Sequence, residues 1–242
     1  MSRPDPRTLI DRALQAPDDG VSGRLAPLVD LDGVQFVRPP VDLPDLCRVA
    51  VADGAACVIA PAGQVGVAAA SLHGRGVAVS ALVNHPDGSD DLGRVIEEAE
   101  AAVAEGASEL DVLIPVQAVL EGDTAVVTDM VEMLRGALPD TVLKIVLRTD
   151  RLAEPERITA AARAAVMAGC DMLVATDAGL DERAGLEASA VLLAICAEAA
   201  GKVGFKIEGA REGLVAAYFH LIDEQADSVW VEPTRVRFAI RP

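Results

Sequence analysis

The chain has 242 residues, is 51% hydrophobic and 2% aromatic, and carries a formal net charge of −17. That charge repels phosphate backbones and anionic membrane surfaces, and so few rings leave no stacking platform, so neither nucleic acid nor membrane is an expected partner. The core must be filled by Ala, Val, Leu and Ile, and the length suits one α/β barrel or one to two smaller domains.

The opening residues, MSRPDPRTLI, lack the apolar run of a signal peptide. The longest apolar stretch, around Ala188 to Ala197, is too short to span a bilayer. Cys47, Cys57, Cys170 and Cys196 are scattered, with no CxxC pair and no Cys/His cluster at zinc spacing. They read as reduced, mostly core thiols, and the expected location is cytoplasmic.

Asp5 to Ala16 has the pattern of a short amphipathic helix ahead of the main fold, so residues 1–24 are expected as a helical extension and 25–238 as the barrel domain. A rhythm then begins in which short apolar strands alternate with alanine-rich helices. The strands are expected at Leu25–Asp30, Ala56–Ala60, Val77–Val83, Glu109–Ile114, Val142–Leu147, Met172–Ala175, Val203–Ile207 and Ser228–Val231. Between the third and fourth, Ser89-Asp90-Asp91 supplies a cap and first-turn acids. Leu92, Val95, Ile96, Ala99 and Val103 form the apolar stripe of that helix, and Gly106 closes it. Pro155 suits a first helical turn and Gly169 a helix end. No linker or composition break divides the chain. Eight βα repeats point to a single (β/α)8 barrel with an extra N-terminal helix. A doubly wound sheet usually shows a glycine-rich loop after its first strand, and Asp30-Leu31-Asp32-Gly33 is not one.

In such a barrel the working face is the carboxyl end of the strands. The residues expected there are strongly polar. They are Asp30 and Asp32, then Asn84, His85 and Asp87, then Asp111, then Lys144, Arg148 and Asp150. Thr176 and Asp177, Lys206, Glu208 and Arg211, and finally Glu232 and Arg235 complete the set. The chain has just three lysines, and two of them, Lys144 and Lys206, lie inside apolar strand-like runs. Strand parity places Lys206 and Glu208 on one face, Lys144, Val146 and Arg148 on another, and Glu109 with Asp111 on a third. An ion pair inside a barrel is rarely there for stability, which sets Asp111, Lys144 and Lys206 apart from solvated loop charges. Burial, with Lys144 or Arg148 nearby, would push the Lys206 amine toward its neutral form, whereas Glu208 would hold it charged. Residue patterns leave that competition open. Asp30, Asp32, His85, Asp87 and Asp111 offer hard ligand atoms, but their spacing matches no metal motif, and neither metal nor cofactor is expected.

These stretches resemble the deoxyribose-phosphate aldolase family over about Leu28 to Phe238. LVDL at 28–31 is similar to the first-strand motif of that family, VNHPDGSDD at 83–91 to its NFPHG-type loop, and GASELDVLIP at 106–115 to its fourth strand. LKIVLRT at 143–149, AGCDMLVATDAG at 168–179 and GFKIEGAR at 204–211 resemble its fifth, sixth and seventh. The resemblance implies a (β/α)8 Schiff-base aldolase that is a monomer or homodimer. It matches Asp111 to the proton-relay aspartate, Lys206 to the second lysine, which lowers the pKa of the Schiff-base amine, and Lys144 to the strand-five lysine. Val174 stands where it implies the imine-forming lysine, Arg148 where it implies a glutamate, and Ala210 where it implies the second glycine of the phosphate loop.

The expected function is therefore divergent aldolase-type carbonyl chemistry on a small, unphosphorylated molecule: C–C or C–N bond making or breaking, or isomerisation. Lys206, Asp111 and Lys144 are the expected catalytic residues, with Lys206 as acid/base or as a relocated imine amine. Asp32, His85, Arg148, Thr176, Glu208 and Arg211 are the expected substrate contacts. The alternative is a catalytically silent homologue acting as a binding or regulatory protein.

Overall fold

A computed structural model describes residues 28–33, 42–86, 88–176, 180–199, 202–208 and 236–240. Eight parallel strands follow one another around a closed barrel. They are β1 (Val29–Asp32), β2 (Cys57–Ala60), β3 (Ala78–Val83), β4 (Glu109–Leu113), β5 (Val142–Val146), β6 (Met172–Thr176), β7 (Gly204–Glu208) and β8 (Val236–Ile240). Parallel neighbours need a crossover on the outside, and a helix satisfies its own backbone on that return path. The described helices are α1 (Leu43–Asp53), α2 (Val65–Leu72), α3 (Leu92–Ala104), α4 (Val116–Leu120), α5 (Ala125–Ala137), α6 (Thr149–Leu152), α7 (Pro155–Met167) and α8 (Glu182–Glu198). The fold is a (β/α)8 barrel.

Local chemistry explains the helix boundaries. At the start of α3 the Asp91 carboxylate accepts from the Arg94 N–H, and the Ser89 hydroxyl accepts from the Asp91 N–H, so donors left open by the first turn are satisfied. The helix buries Val95, Ala99 and Ala102, and Gly106 follows it at φ 110°. Pro155 occupies the first turn of α7, whose buried face is Ile158, Ala161, Ala162 and Ala165. Small side chains at such contacts let the helices lie close to the barrel without aromatic filler.

Each strand points alternate residues in opposite directions. Val58 and Ala60, Leu110 and Val112, Leu143 and Ile145, and Phe205 and Ile207 belong to the core shared with the helices. Ile59, Leu82, Leu113, Val146, Val174 and Ala239 form a separate apolar cluster on the other face, inside the barrel. The pairing registers carry a stagger of about one residue per strand, so alternate strands fill successive interior layers. Rising toward the carboxyl ends, Cys57, Glu109, Met172 and Arg237 come first, then Asp30, Ser80, Lys144 and Lys206. Ile59, Asp111, Val174 and Ala239 follow, and Asp32, Leu82, Val146 and Glu208 lie above them. Charge is concentrated low in the barrel, and much of the ring between it and the mouth is apolar.

Two strands differ from expectation. β1 begins at Val29 and includes both Asp30 and Asp32, so Asp30 is an interior residue, and residues 25–27 lie outside those described. An acid within a strand reads locally as a loop, because the cations that compensate it come from distant strands. β8 is Val236–Ile240 and not Ser228–Val231, a stretch outside the described residues. Its alternation is masked by Arg237, which points inward to Asp30. The expected helix at Asp5–Ala16 also lies outside the described residues, as do the extension and its boundary with the barrel.

Candidate active site

The centre of the site is a buried network of carboxylates and cations. Lys206 on β7 places Nζ 2.6 Å from Asp111 Oδ1 on β4 and 2.9 Å from Asp30 Oδ2 on β1. Lys144 on β5 places Nζ 2.8 Å from Glu109 Oε2, 3.0 Å from Asp111 Oδ2 and 3.1 Å from Asp30 Oδ2. Arg237 on β8 donates to Asp30 Oδ1 at 3.0 Å, and the Ser80 hydroxyl donates to Asp111 Oδ2 at 2.6 Å. Three acids and three bases meet, so the network is close to neutral as a unit. The Lys144 and Lys206 side chains are 0% and 1% exposed.

Burial and charge act against each other on every member. For Lys206, burial lowers the pKa and is the largest single influence, but the attraction of Asp111 and Asp30 outweighs it and the net direction is upward. Lys144 is likewise opposed by burial and held well above the usual lysine range by Asp111, Asp30 and Glu109. Burial raises the Asp30 and Asp111 carboxyls, yet Lys144 and Lys206 bring both below the usual carboxylate range. All four groups rest ionised. Lys144 does push the Lys206 amine toward its neutral form, as expected, but Asp111 and Asp30 outweigh it, and the Arg148 guanidinium pairs with Asp150.

The expected contacts separate into distinct environments. Arg148 lies beyond the end of β5, with φ 48°, and its guanidinium pairs with Asp150 at 2.9 Å. It does not continue the inward row of Lys144, because the strand ends at Val146 and the chain turns into α6. Lys206 bonds across the barrel to Asp111 and Asp30, and not to Glu208 two residues on. Asp32, Thr176 and Glu208 end β1, β6 and β7 on the inward parity, at the mouth. His85 is half-buried in the loop after β3. Its neighbour Asn84 is a structural clamp, its amide donating to Ser89 O and Leu113 O and accepting from Ser89 N and Arg94. Arg211, Asp87, Asp177, Glu232 and Arg235 lie outside the described residues.

Three members of the network, Glu109, Ser80 and Arg237, were not among the residues expected at the working face, and Asp30 was expected there as a strand-end acid and not as a partner of the lysines. The sequence signal for Glu109 was its shared parity with Asp111. For Asp30 and Arg237 the corresponding signal, a charged residue two positions from a buried apolar one, was hidden by misplaced strand ends. Asp30, Cys57 and Glu109 bring potential ligand atoms within 4.8 Å of one another. The Lys144 ammonium already faces both carboxylates, and burial pushes the Cys57 thiol well up, which opposes the thiolate a metal needs.

Chemically, the network offers a short path for a proton between a buried ammonium and a buried carboxylate, beside fixed positive charge. Such groups stabilise charge that develops next to a carbonyl. Val174 pairs in register with Lys206 and stands one layer nearer the mouth, so the position beside the lysine amine is filled by an isopropyl group.

Comparison with known proteins agrees with this architecture. Residues 13–192 match the family described as DeoC/LacD family aldolase. A curated deoxyribose-phosphate aldolase of Agrobacterium fabrum is 29% identical over 231 residues, covering 93% of this chain and 89% of that protein. A Toxoplasma gondii structure assigned as deoxyribose-phosphate aldolase superposes with a TM-score of 0.76 at 21% identity, covering 92% of each chain. The tetrameric deoxyribose phosphate aldolase of Aeropyrum pernix gives a TM-score of 0.71 at 20% identity, covering 90% of this chain and 91% of its own. With the family match running over most of the barrel, this chain belongs to the DeoC/LacD family of aldolases.

Proposed function

We propose that the protein is a lyase acting on a small, unphosphorylated carbonyl compound by acid–base chemistry at Lys206 and Asp111, with Lys144 holding Asp111 ionised. The observation that carries this reading is the 2.6 Å contact between Lys206 Nζ and Asp111 Oδ1, both nearly closed to solvent. In the cleavage direction Asp111 takes the proton of a β-hydroxyl, the C–C bond breaks, and its electrons move onto the carbonyl oxygen. The Lys206 ammonium stabilises the resulting enolate, and the proton held by Asp111 returns to the enolate carbon. An imine would require a neutral amine, whereas the carboxylates around Lys206 keep it charged. Val174 offers no amine in its place.

Asp32, Thr176 and Glu208 line the proposed approach from the mouth, with His85 and Arg148 contributed by the segments after β3 and β5, and Arg211 is a further proposed contact from its sequence position. Ala210, in place of a second glycine, supports an unphosphorylated substrate, because a backbone cradle for phosphate needs close approach of N–H groups. A cytoplasmic location without nucleic-acid partners fits the composition, and a monomer or homodimer is what the family resemblance implies.

Borohydride added with candidate aldehydes and ketones tests the mechanism. The expected result is no stable adduct, with turnover reduced about 10²–10⁴-fold in Lys206→Met and in Asp111→Asn. An adduct on Lys206 that disappears in Lys206→Met would instead establish a relocated imine. A second reading, a silent barrel that binds or regulates, is favoured by one feature: Val174 is 0% exposed beside the buried Lys206 and Asp111. Absence of turnover with every carbonyl tested, alongside retained ligand binding, would select it.

A further inference from the structure

We infer that Thr176 anchors the polar group of a ligand whose body is apolar, a short aliphatic ketone or aldehyde, and that the interior ring beneath it selects for that body. This deepens the acid–base reading above and rests on it for the reaction, though not for the binding.

Thr176 is the last residue of β6 and shares the inward parity of Val174. It is 5% exposed, and its Oγ1 has no hydrogen-bond partner. The strand end around it is held independently. The Thr149 hydroxyl accepts from the Thr176 N–H and donates to the Thr176 carbonyl, each at 2.9 Å. The backbone of Thr176 is therefore satisfied and fixed, while its hydroxyl is not used locally. A buried hydroxyl without a partner is less favourable than a methyl group of the same shape. The other such hydroxyl among the described residues, Ser189, lies in α8 on the outside of the barrel. Thr176 is the one that faces the interior.

The apolar residues at and below the level of that hydroxyl are Ile59, Leu82, Leu113, Val146, Val174 and Ala239, with Asp111 among the lower ones and Asp32 and Glu208 among the upper. A polyhydroxylated sugar laid on this ring would leave hydroxyls against hydrocarbon, which is unfavourable without replacement hydrogen bonds. An alkyl body has no such groups to desolvate, and one carbonyl or hydroxyl suffices to meet Thr176. At this level polar groups come from Thr176 and from the Asp32 and Glu208 carboxylates, whereas Leu82, Leu113 and Val146 on β3–β5 give an apolar side for the alkyl body, the mixture of apolar lining and few polar groups that fixes orientation in small-molecule sites.

Titration calorimetry of the intact chain with 4-hydroxy-2-pentanone, dihydroxyacetone and deoxyribose 5-phosphate tests the inference. The methylated ketone is expected to bind more tightly than either polyhydroxylated compound. Thr176→Val should weaken it roughly three- to tenfold, the effect of one neutral hydrogen bond, and Thr176→Ser should restore it. Preference for the sugar phosphate, no detectable binding of the ketone, or equal affinity in Thr176→Val would overturn the proposal. Lys206→Met separates the two readings. Ketone binding that depends on Thr176 without turnover in any form of the protein would leave this inference standing and remove the acid–base one. Turnover that depends on Lys206 with Thr176-independent binding would do the reverse.

Discussion

Asp30 receives Lys144, Lys206 and Arg237, more cations than any other described carboxylate. Replacing it by Asn keeps the shape and removes the charge that compensates two fully buried ammoniums. Asp30→Asn is expected to lower unfolding free energy by about 3–5 kcal/mol, the range for breaking a buried pair from one side, as read by urea denaturation. The pH dependence follows from the directions of the shifts. Lys144 and Lys206 have raised values, so their contribution is complete below the unfolded lysine pKa of about 10.4 and fades as pH rises through the folded values. Asp30 and Asp111 have lowered values, so theirs is complete above about 3.9 and fades as pH falls through the folded ones. Stability from this network should therefore be flat between about pH 5 and 9. An inflection near neutrality that vanishes in Lys206→Met would show that one ammonium has been misassigned.

Among the elements, β6 carries Val174 where the sequence resemblance implied an imine-forming lysine. Val174→Lys would set a second amine beside Lys206, its register partner. Like charges at that distance lower each other's pKa, so a neutral amine becomes available and a borohydride-trapped adduct should appear at position 174. The charge inside an apolar ring should lower stability by about 1–3 kcal/mol. After β3, close packing constrains Gly88. Gly88 has φ 69°, and a Cβ there would lie 2.1 Å from the Ile114 carbonyl oxygen. Gly88→Ala should therefore destabilise by about 1–3 kcal/mol, and a thermal melt within error of the native chain would show that the loop can shift away from Ile114.

At the scale of the molecule, closure leaves no open edge among the described strands, since β8 pairs with both β7 and β1. The net charge of −17 surrounds this closed core. Raising ionic strength from 0.01 to 0.15 M shortens the screening length from about 30 to 8 Å, so the melting temperature is expected to rise with salt and the protein to pass unretained over heparin. Retention at low salt would reveal a local basic surface that total charge conceals. The barrel class was legible from sequence because a period of two on strands and capped, alanine-rich helices are local properties. Strands two to seven fell within a residue or two of their expected ends for the same reason. The placement of Lys144, Lys206 and Asp111 inside the barrel was legible from lysines embedded in apolar runs. The ends of β1 and β8, the roles of Asp30 and Arg237 and the charge state of Lys206 were not. Each depends on partners contributed by separate strands, as Arg237 and Asp30 are, and the strength of those pairings is set by distance and burial, which exist once the sheet has closed into a barrel.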